Sequence, residues 1–155
     1  MKYFCKVFCL VIYLLFTSSI TLYSQTIEEE VMKPIHLLFE GMEKADTSIL
    51  KNVFAKNVIM KVVSDKGVKN ETVEGFIKQI ANKEPNTPNW IEKLYNTEIR
   101  VDGNLAHVWT DYSFYIGNKL SHCGVDSFAL IKLNGIWKIV YIMDTRRRTN
   151  CKEEE

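Results

Sequence analysis

Three tight-turn dipeptides punctuate the C-terminal half of the chain: Asp102-Gly103, Gly117-Asn118 and Asn134-Gly135. Beside them lie runs rich in β-branched and aromatic residues, at roughly 90–101, 104–116, 119–133 and 136–144. Such dipeptides tolerate the positive φ angles that two-residue hairpins need. The pattern therefore predicts four long strands joined as an antiparallel meander. A sheet of that length must bury at least one face against a second layer, so the rest of the chain has to supply one.

The N-terminal half can do so. Ile27, Val31, Ile35, Leu38 and Met42 recur every three or four residues, one apolar stripe on a helix. Thr26 and Glu29 fit a capping box at its start, and Pro34 predicts a kink within it. Asp46 and Thr47 can cap a short second helix carrying Ile49, Leu50, Val53 and Phe54. Residues 57–65, "NVIMKVVSD", read as a strand, and Asp65-Lys66-Gly67 turns the chain. A third helix is predicted over about 73–82, with Val73, Phe76, Ile77 and Ile80 on one side. The segment "NKEPNTPN" is a loop. The order is helix, helix, strand, turn, helix, then four strands, which is an α+β arrangement.

Residues 1–24 have a different character. Lys2 and Lys6 precede an apolar run from Val7 to Phe16, and small polar residues follow. This is the order of a secretory signal peptide, with a cut near Ser24–Gln25; a retained N-terminal anchor is the alternative. The apolar run is short for a membrane span of roughly 20 residues. Loss of the two lysines takes the formal charge from +1 to −1. Nucleic acid is then a poor partner, because that affinity comes from neutralising phosphates. The expected location is secreted or periplasmic, with no membrane attachment after cleavage. Cys123 and Cys151 remain, and an oxidising compartment would let them pair if geometry permits. The tail 149–155 reads as a charged, solvated end.

Strand alternation sorts the chemistry. In 104–116, Leu105, His107, Trp109, Asp111, Ser113 and Tyr115 share one face; Ala106, Val108, Thr110, Tyr112, Phe114 and Ile116 share the other. Both faces carry large apolar groups, so one is expected to pack on the helices and the other on a second subunit. In 119–133, His122, Gly124, Asp126, Phe128 and Leu130 share a face. His122 and Asp126 are then roughly 13 Å apart on a regular strand, two separate polar points on a pocket wall. Gly124 marks a place where a bulge or bend can form.

The helical start, the meander "GNLAHVWTDYSFYIGNKLSHCGVDSFALIKLNGIWKIVYIMDTRR" and the final Trp-Lys-Ile strand resemble the nuclear transport factor 2-like (NTF2-like) superfamily. Within it they are most similar to the secreted bacterial branch labelled putative lumazine-binding. The resemblance covers about 26–148 and places an NTF2-like domain at 25–148. It implies a cone in which about three helices pack on a strongly bent antiparallel sheet. It also implies a pocket at the open end and frequent dimerisation through the sheet. The superfamily holds isomerases, dehydratases, cyclases and binding-only members, so the fold does not choose a function.

The expected ligand-binding residues are Trp90, Trp109, Tyr112, Tyr115, His122 and Asp126, aromatic walls with a few placed polar groups. Asp126, His122 and Asp144 are the catalytic candidates. Asp144 can instead pair with Arg146. The chain carries no metal-ligand spacing, phosphate loop, dinucleotide fingerprint or nucleophile elbow. Three functions follow. The first is cofactor-free binding of a small, flat, largely apolar ligand. The second is an isomerase, dehydratase or cyclase with a buried Asp as general base and His122 or a tyrosine stabilising an oxyanion. The third is an interaction module whose cone is plugged by its own side chains.

Overall fold

The computed structural model describes residues 27–84 and 86–152. The leader read at 1–24, the Thr26 cap and the last three residues of the tail lie outside that range. Helix α1 spans 27–43, α2 Thr47–Val53 and α3 Val73–Ala81. The strands are β1 Phe54–Ser64, β2 Gly67–Glu71, β3 Trp90–Asp102, β4 Leu105–Ile116, β5 Lys119–Leu133 and β6 Ile136–Thr145. Among the described residues no helix is long and apolar enough to cross a membrane.

The helices form where local chemistry supports them. The α1 stripe Val31, Ile35, Leu38 and Met42 is buried, and the helix continues past Pro34 to residue 43. The Asp46 carboxylate caps α2 by accepting from the amides of Ser48 (2.9 Å) and Ile49 (3.3 Å). The Thr72 hydroxyl does the same for α3, accepting from Gly75 N at 3.0 Å.

The six strands make one sheet in the order β2-β1-β6-β5-β4-β3. β3 to β6 form the expected antiparallel meander. Two features differ from the sequence expectation. The chain after Gly67 adds a strand, β2, paired antiparallel with β1. Its residues are almost all exposed, so no apolar alternation announces it. β1 pairs with β6 in parallel. The chain between them is long enough for either direction, and no turn dipeptide dictates one.

Asn134 and Gly135 both take positive φ, at 51° and 80°, as a two-residue hairpin turn requires. The first turn falls on Gly103-Asn104, one residue later than expected, because Asp102 still pairs with Leu105. Register shifts at Tyr95/Glu98, Phe114/Tyr115 and Ala129/Leu130 interrupt the meander. Bulges of this kind bend and twist a sheet.

The inner face of the sheet presents Ala106, Val108, Phe128, Leu130, Trp137 and Ile139, all buried against Val31, Ile35, Leu38, Leu50, Val53 and Ile80. Each large apolar side chain fully buried there contributes about 1.5–3 kcal/mol. The C-terminal tail is not a free end over its described part. Cys123 and Cys151 form a disulfide with Cα atoms 5.5 Å apart. Arg147 exchanges two 2.9 Å backbone hydrogen bonds with Cys123, and Ser113 Oγ donates to Lys152 O at 2.7 Å.

Candidate functional site

The inner face does not stay apolar to its end. Beyond Val108 and Phe128, its inward positions become Thr110, Tyr112 and Phe114 on β4 and Asp126, Gly124 and His122 on β5, paired in that order. Here α1 and α3 stand off from the sheet and leave a cavity of about 250 Å³. Leu38, Phe39, Met42 and Phe76 line it from the helices; Trp90, Phe114, Phe128 and Ile142 line it from the sheet. Trp90 meets Phe114 edge-on at 6.0 Å, and Phe39 meets Phe128 at 6.3 Å. These are the offset geometries that aromatic quadrupoles favour.

Gly124 decides how the polar end is built. The β4–β5 register runs regularly through it, so it is not the site of a bulge. Instead a Cβ at this position would lie 1.8 Å from the carbonyl oxygen of Thr145. Only glycine lets the chain leaving β6 cross so close. That crossing fixes Thr145, whose carbonyl accepts from Tyr112 Oη at 2.8 Å and whose Oγ1 accepts from Val125 N at 3.0 Å. It also sets Asp144 and Arg146 on the cavity wall, with Arg146 Nε 2.7 Å from Asp144 Oδ2.

Three carboxyls converge on this end. Asp126 is only 4% exposed and Asp144 only 9%; Glu92, on β3, lines the same cavity. The Glu92 and Asp126 side chains are hydrogen-bonded to each other. Burial is the main cause that raises Glu92 well above the usual carboxylate range, and the nearby Asp126 adds to it. Burial also pushes Asp126 up to about 7, against the hydrogen bond from Glu92. Two like charges at this depth cannot both persist, so the pair holds a proton near neutrality. Burial raises Asp144 as well, although Arg146 pulls the other way. Burial lowers His122 to about 4, with Arg146 and Arg148 adding to the effect, which leaves a neutral imidazole. Its ring packs on Phe114 at 4.8 Å and Tyr112 at 5.8 Å.

Of the residues expected from sequence, the cavity gathers Trp90, Tyr112, His122, Asp126 and Asp144. It does not gather Trp109 or Tyr115. These sit on the opposite phase of β4 from Tyr112, and one strand cannot turn successive side chains to a common side. Trp109 is 47% exposed on the outer face, and Lys93 Nζ lies 5.3 Å from the Tyr115 ring. His107 is also on that face, 3.1 Å from Ser127 Oγ. Sequence reasoning missed Glu92. Its signal was present: Trp90, Glu92 and Leu94 share one phase of β3, and an acid between two large apolar residues on an inward phase marks a buried polar group. Among the described residues no three His, Cys, Asp or Glu side chains are placed to hold a metal ion.

A family described as putative lumazine-binding matches residues 26–143. The chain belongs to this family. No curated protein matches it. Solved structures similar to it carry the same NTF2-like fold. An NTF2-like protein from Shewanella baltica aligns with a TM-score of 0.64 at 19% identity, covering 80% of this chain and 96% of that one. A protein from Streptomyces avermitilis, titled a putative dehydratase from the NTF2-like family, aligns at 0.63 and 17%, covering 81% and 99%. An NTF2-like protein with a cystatin-like fold from Novosphingobium aromaticivorans aligns at 0.66 and 11%, covering 88% and 92%. At these identities the likeness shows the fold alone. This member of the family described as putative lumazine-binding places an aromatic cavity with a carboxyl floor at the open end of an NTF2-like sheet.

Proposed function

We propose that this protein binds a small, flat, largely apolar ligand in the cavity. The observation that carries this reading is the combination of aromatic walls with one compact polar end. Small-ligand sites are built this way. A volume of about 250 Å³ lies just under the usual range of roughly 300–1,000 Å³. It therefore favours a bicyclic ring system over a four-ring steroid. The family's description points to the same size class. The open volume weighs against a cone plugged by its own side chains. The Cys123–Cys151 disulfide supports passage through an oxidising compartment, in keeping with the secreted or periplasmic location expected from residues 1–24.

A second reading is favoured by the hydrogen-bonded Glu92–Asp126 pair. A buried carboxyl that titrates near 7 can take a proton at ordinary pH. An enzyme using it would remove a proton next to a carbonyl with Asp126. In that step the Tyr112 hydroxyl would turn from the Thr145 carbonyl, which it meets at 2.8 Å, to the developing oxyanion.

Calorimetric titration with lumazine, pterin and flavin rings tests the first reading. Binding should weaken about tenfold in Phe114→Ala, which removes a wall but no charge. Failure of all three rings to bind, or binding indifferent to Phe114→Ala, would sink it. Deuterium uptake at the α-carbon of a bound bicyclic ketone tests the second. Uptake should vanish in Asp126→Asn, and uptake that survives in that variant removes Asp126 as base.

A further inference from the structure

The cavity's electrostatics say which edge of a flat ligand it accepts. Four carboxyls line it, Glu71, Glu92, Asp126 and Asp144, against two cations, Lys69 and Arg146. Both cations are already engaged, Lys69 with Glu71 at 3.0 Å and Arg146 with Asp144 at 2.7 Å. The Tyr112 hydroxyl is committed to the Thr145 carbonyl. Gln79 and His122 also line the cavity and can donate, but both charged donors and the Tyr112 hydroxyl are already engaged. Acceptor capacity is in surplus. Asp126 Oδ2 is buried and has no hydrogen-bond partner among the described residues, on a side chain that is 96% buried by its 4% exposure. A buried acceptor left unmatched is destabilising, and a ligand N–H placed on it relieves that cost.

We propose that the site selects a nitrogen heterocycle that presents adjacent N–H donors, an amino group beside a ring N–H, to the Asp126 carboxylate. The proposal rests on the ligand-binding reading above and names the edge that binds. A 2-amino-4-oxo ring such as pterin carries that pair of donors. The 2,4-dioxo ring of lumazine has the same bicyclic frame but replaces the amino group with a carbonyl acceptor. The dioxo ring turns a lone pair toward Asp126 where the amino ring turns a hydrogen. Two parallel N–H···O bonds to a carboxylate are the strong geometry for such a contact.

The test is a pair of titrations of the folded protein at pH 7.5 with pterin and with lumazine, repeated on Asp126→Asn and on Trp109→Ala. Trp109→Ala alters only the outer face and serves as the control. Pterin should bind at least tenfold more tightly than lumazine to the unaltered protein and to Trp109→Ala. That preference should fall to twofold or less in Asp126→Asn, whose melting transition shows that it is folded. Equal or tighter binding of lumazine to the unaltered protein overturns the donor-edge proposal and leaves the cavity reading standing. A pterin preference that persists undiminished in Asp126→Asn also overturns it, because the donors then meet another group. Failure of both rings to bind overturns the donor-edge proposal, and failure of the flavin ring as well removes the cavity reading with it.

Discussion

The two ends of the inner face of β4 and β5 are built on one pleat and do opposite things. At the closed end, Ala106–Leu130 and Val108–Phe128 face the helices, and every one of these side chains is buried. At the open end, Thr110–Asp126, Tyr112–Gly124 and Phe114–His122 continue the same alternation, but Tyr112, Phe114, His122 and Asp126 line a cavity. The pleat is common to both ends. What differs is that the open end holds carboxyls, which resist close apolar packing, and a glycine, which admits the crossing chain. The closed end is spent on stability. The open end gives some of that stability up, and pocket and unusual titration go together there.

The comparison breaks most sharply at Gly124. Gly124→Ala sets a Cβ 1.8 Å from a backbone oxygen. The crossing at Thr145 must move, with an expected loss of about 4 kcal/mol or more, measured by urea unfolding. A loss under about 1 kcal/mol would mean that the crossing is not held there in solution. Next come two apolar residues at opposite ends. Leu130→Ala, at 0% exposure, should cost about 2–5 kcal/mol. Phe114→Ala, already bordering a cavity, should cost about half as much or less. Equal costs would erase the distinction between the ends.

The disulfide comes third. It closes a separation of 28 residues, worth about 3.5 kcal/mol in a chain-entropy account. Cys151→Ser should lower the unfolding free energy by about that amount, and adding reductant to the variant should change nothing more.

The pH profile sharpens the comparison further. Asp126 rises from 3.8 unfolded to about 7 folded. The folded state then holds a proton that the unfolded state has released. Stability from this group is complete below about 3.8 and is lost as pH rises to about 7. Glu92 and Asp144 are raised as well and act in the same direction. His122, lowered from 6.5 to about 4, acts in the opposite direction and adds stability as pH rises through that window. The fall should therefore be clearest above about 6.5, where His122 opposes it progressively less. Asp126→Asn should flatten the fall, seen as melting temperature against pH. A wild-type profile that rises across that interval would contradict the buried pair.

The smallest effect belongs to the outer face. Trp109→Ala, at 47% exposure, should change monomer stability by no more than about 0.5 kcal/mol. A loss of several kcal/mol that depends on protein concentration would instead reveal a partner subunit on Trp109 and on Leu105, which is 53% exposed.

Much of this was legible beforehand, for identifiable reasons. Helix periodicity in α1, the Asp46 cap and the turn residues are local signals, and each appears where local chemistry requires it. The alternation in β5 correctly set His122, Gly124, Asp126 and Phe128 on one face. The same rule, applied to β4, already separated Trp109 and Tyr115 from Tyr112. Grouping them as one wall overrode the alternation in favour of aromatic content. β2 left no trace because its side chains remain in water. Glu92 was readable only as an acid on an inward phase, and its partner lies two strands away.

The sequence by itself determined the period of the helices and of the meander strands, two of the three hairpin turns to the residue and the third to within one, the apolar stripe of α1 and the alternation of faces along β4 and β5. These follow from backbone geometry within a few residues. Only the tertiary structure decided that β1 joins β6 in parallel and that Cys123 reaches Cys151. It alone brought Glu92, Asp126 and Asp144 from three strands into one low-dielectric space. Contacts between distant segments depend on how layers pack and where a chain can cross, and no short window of residues contains that information.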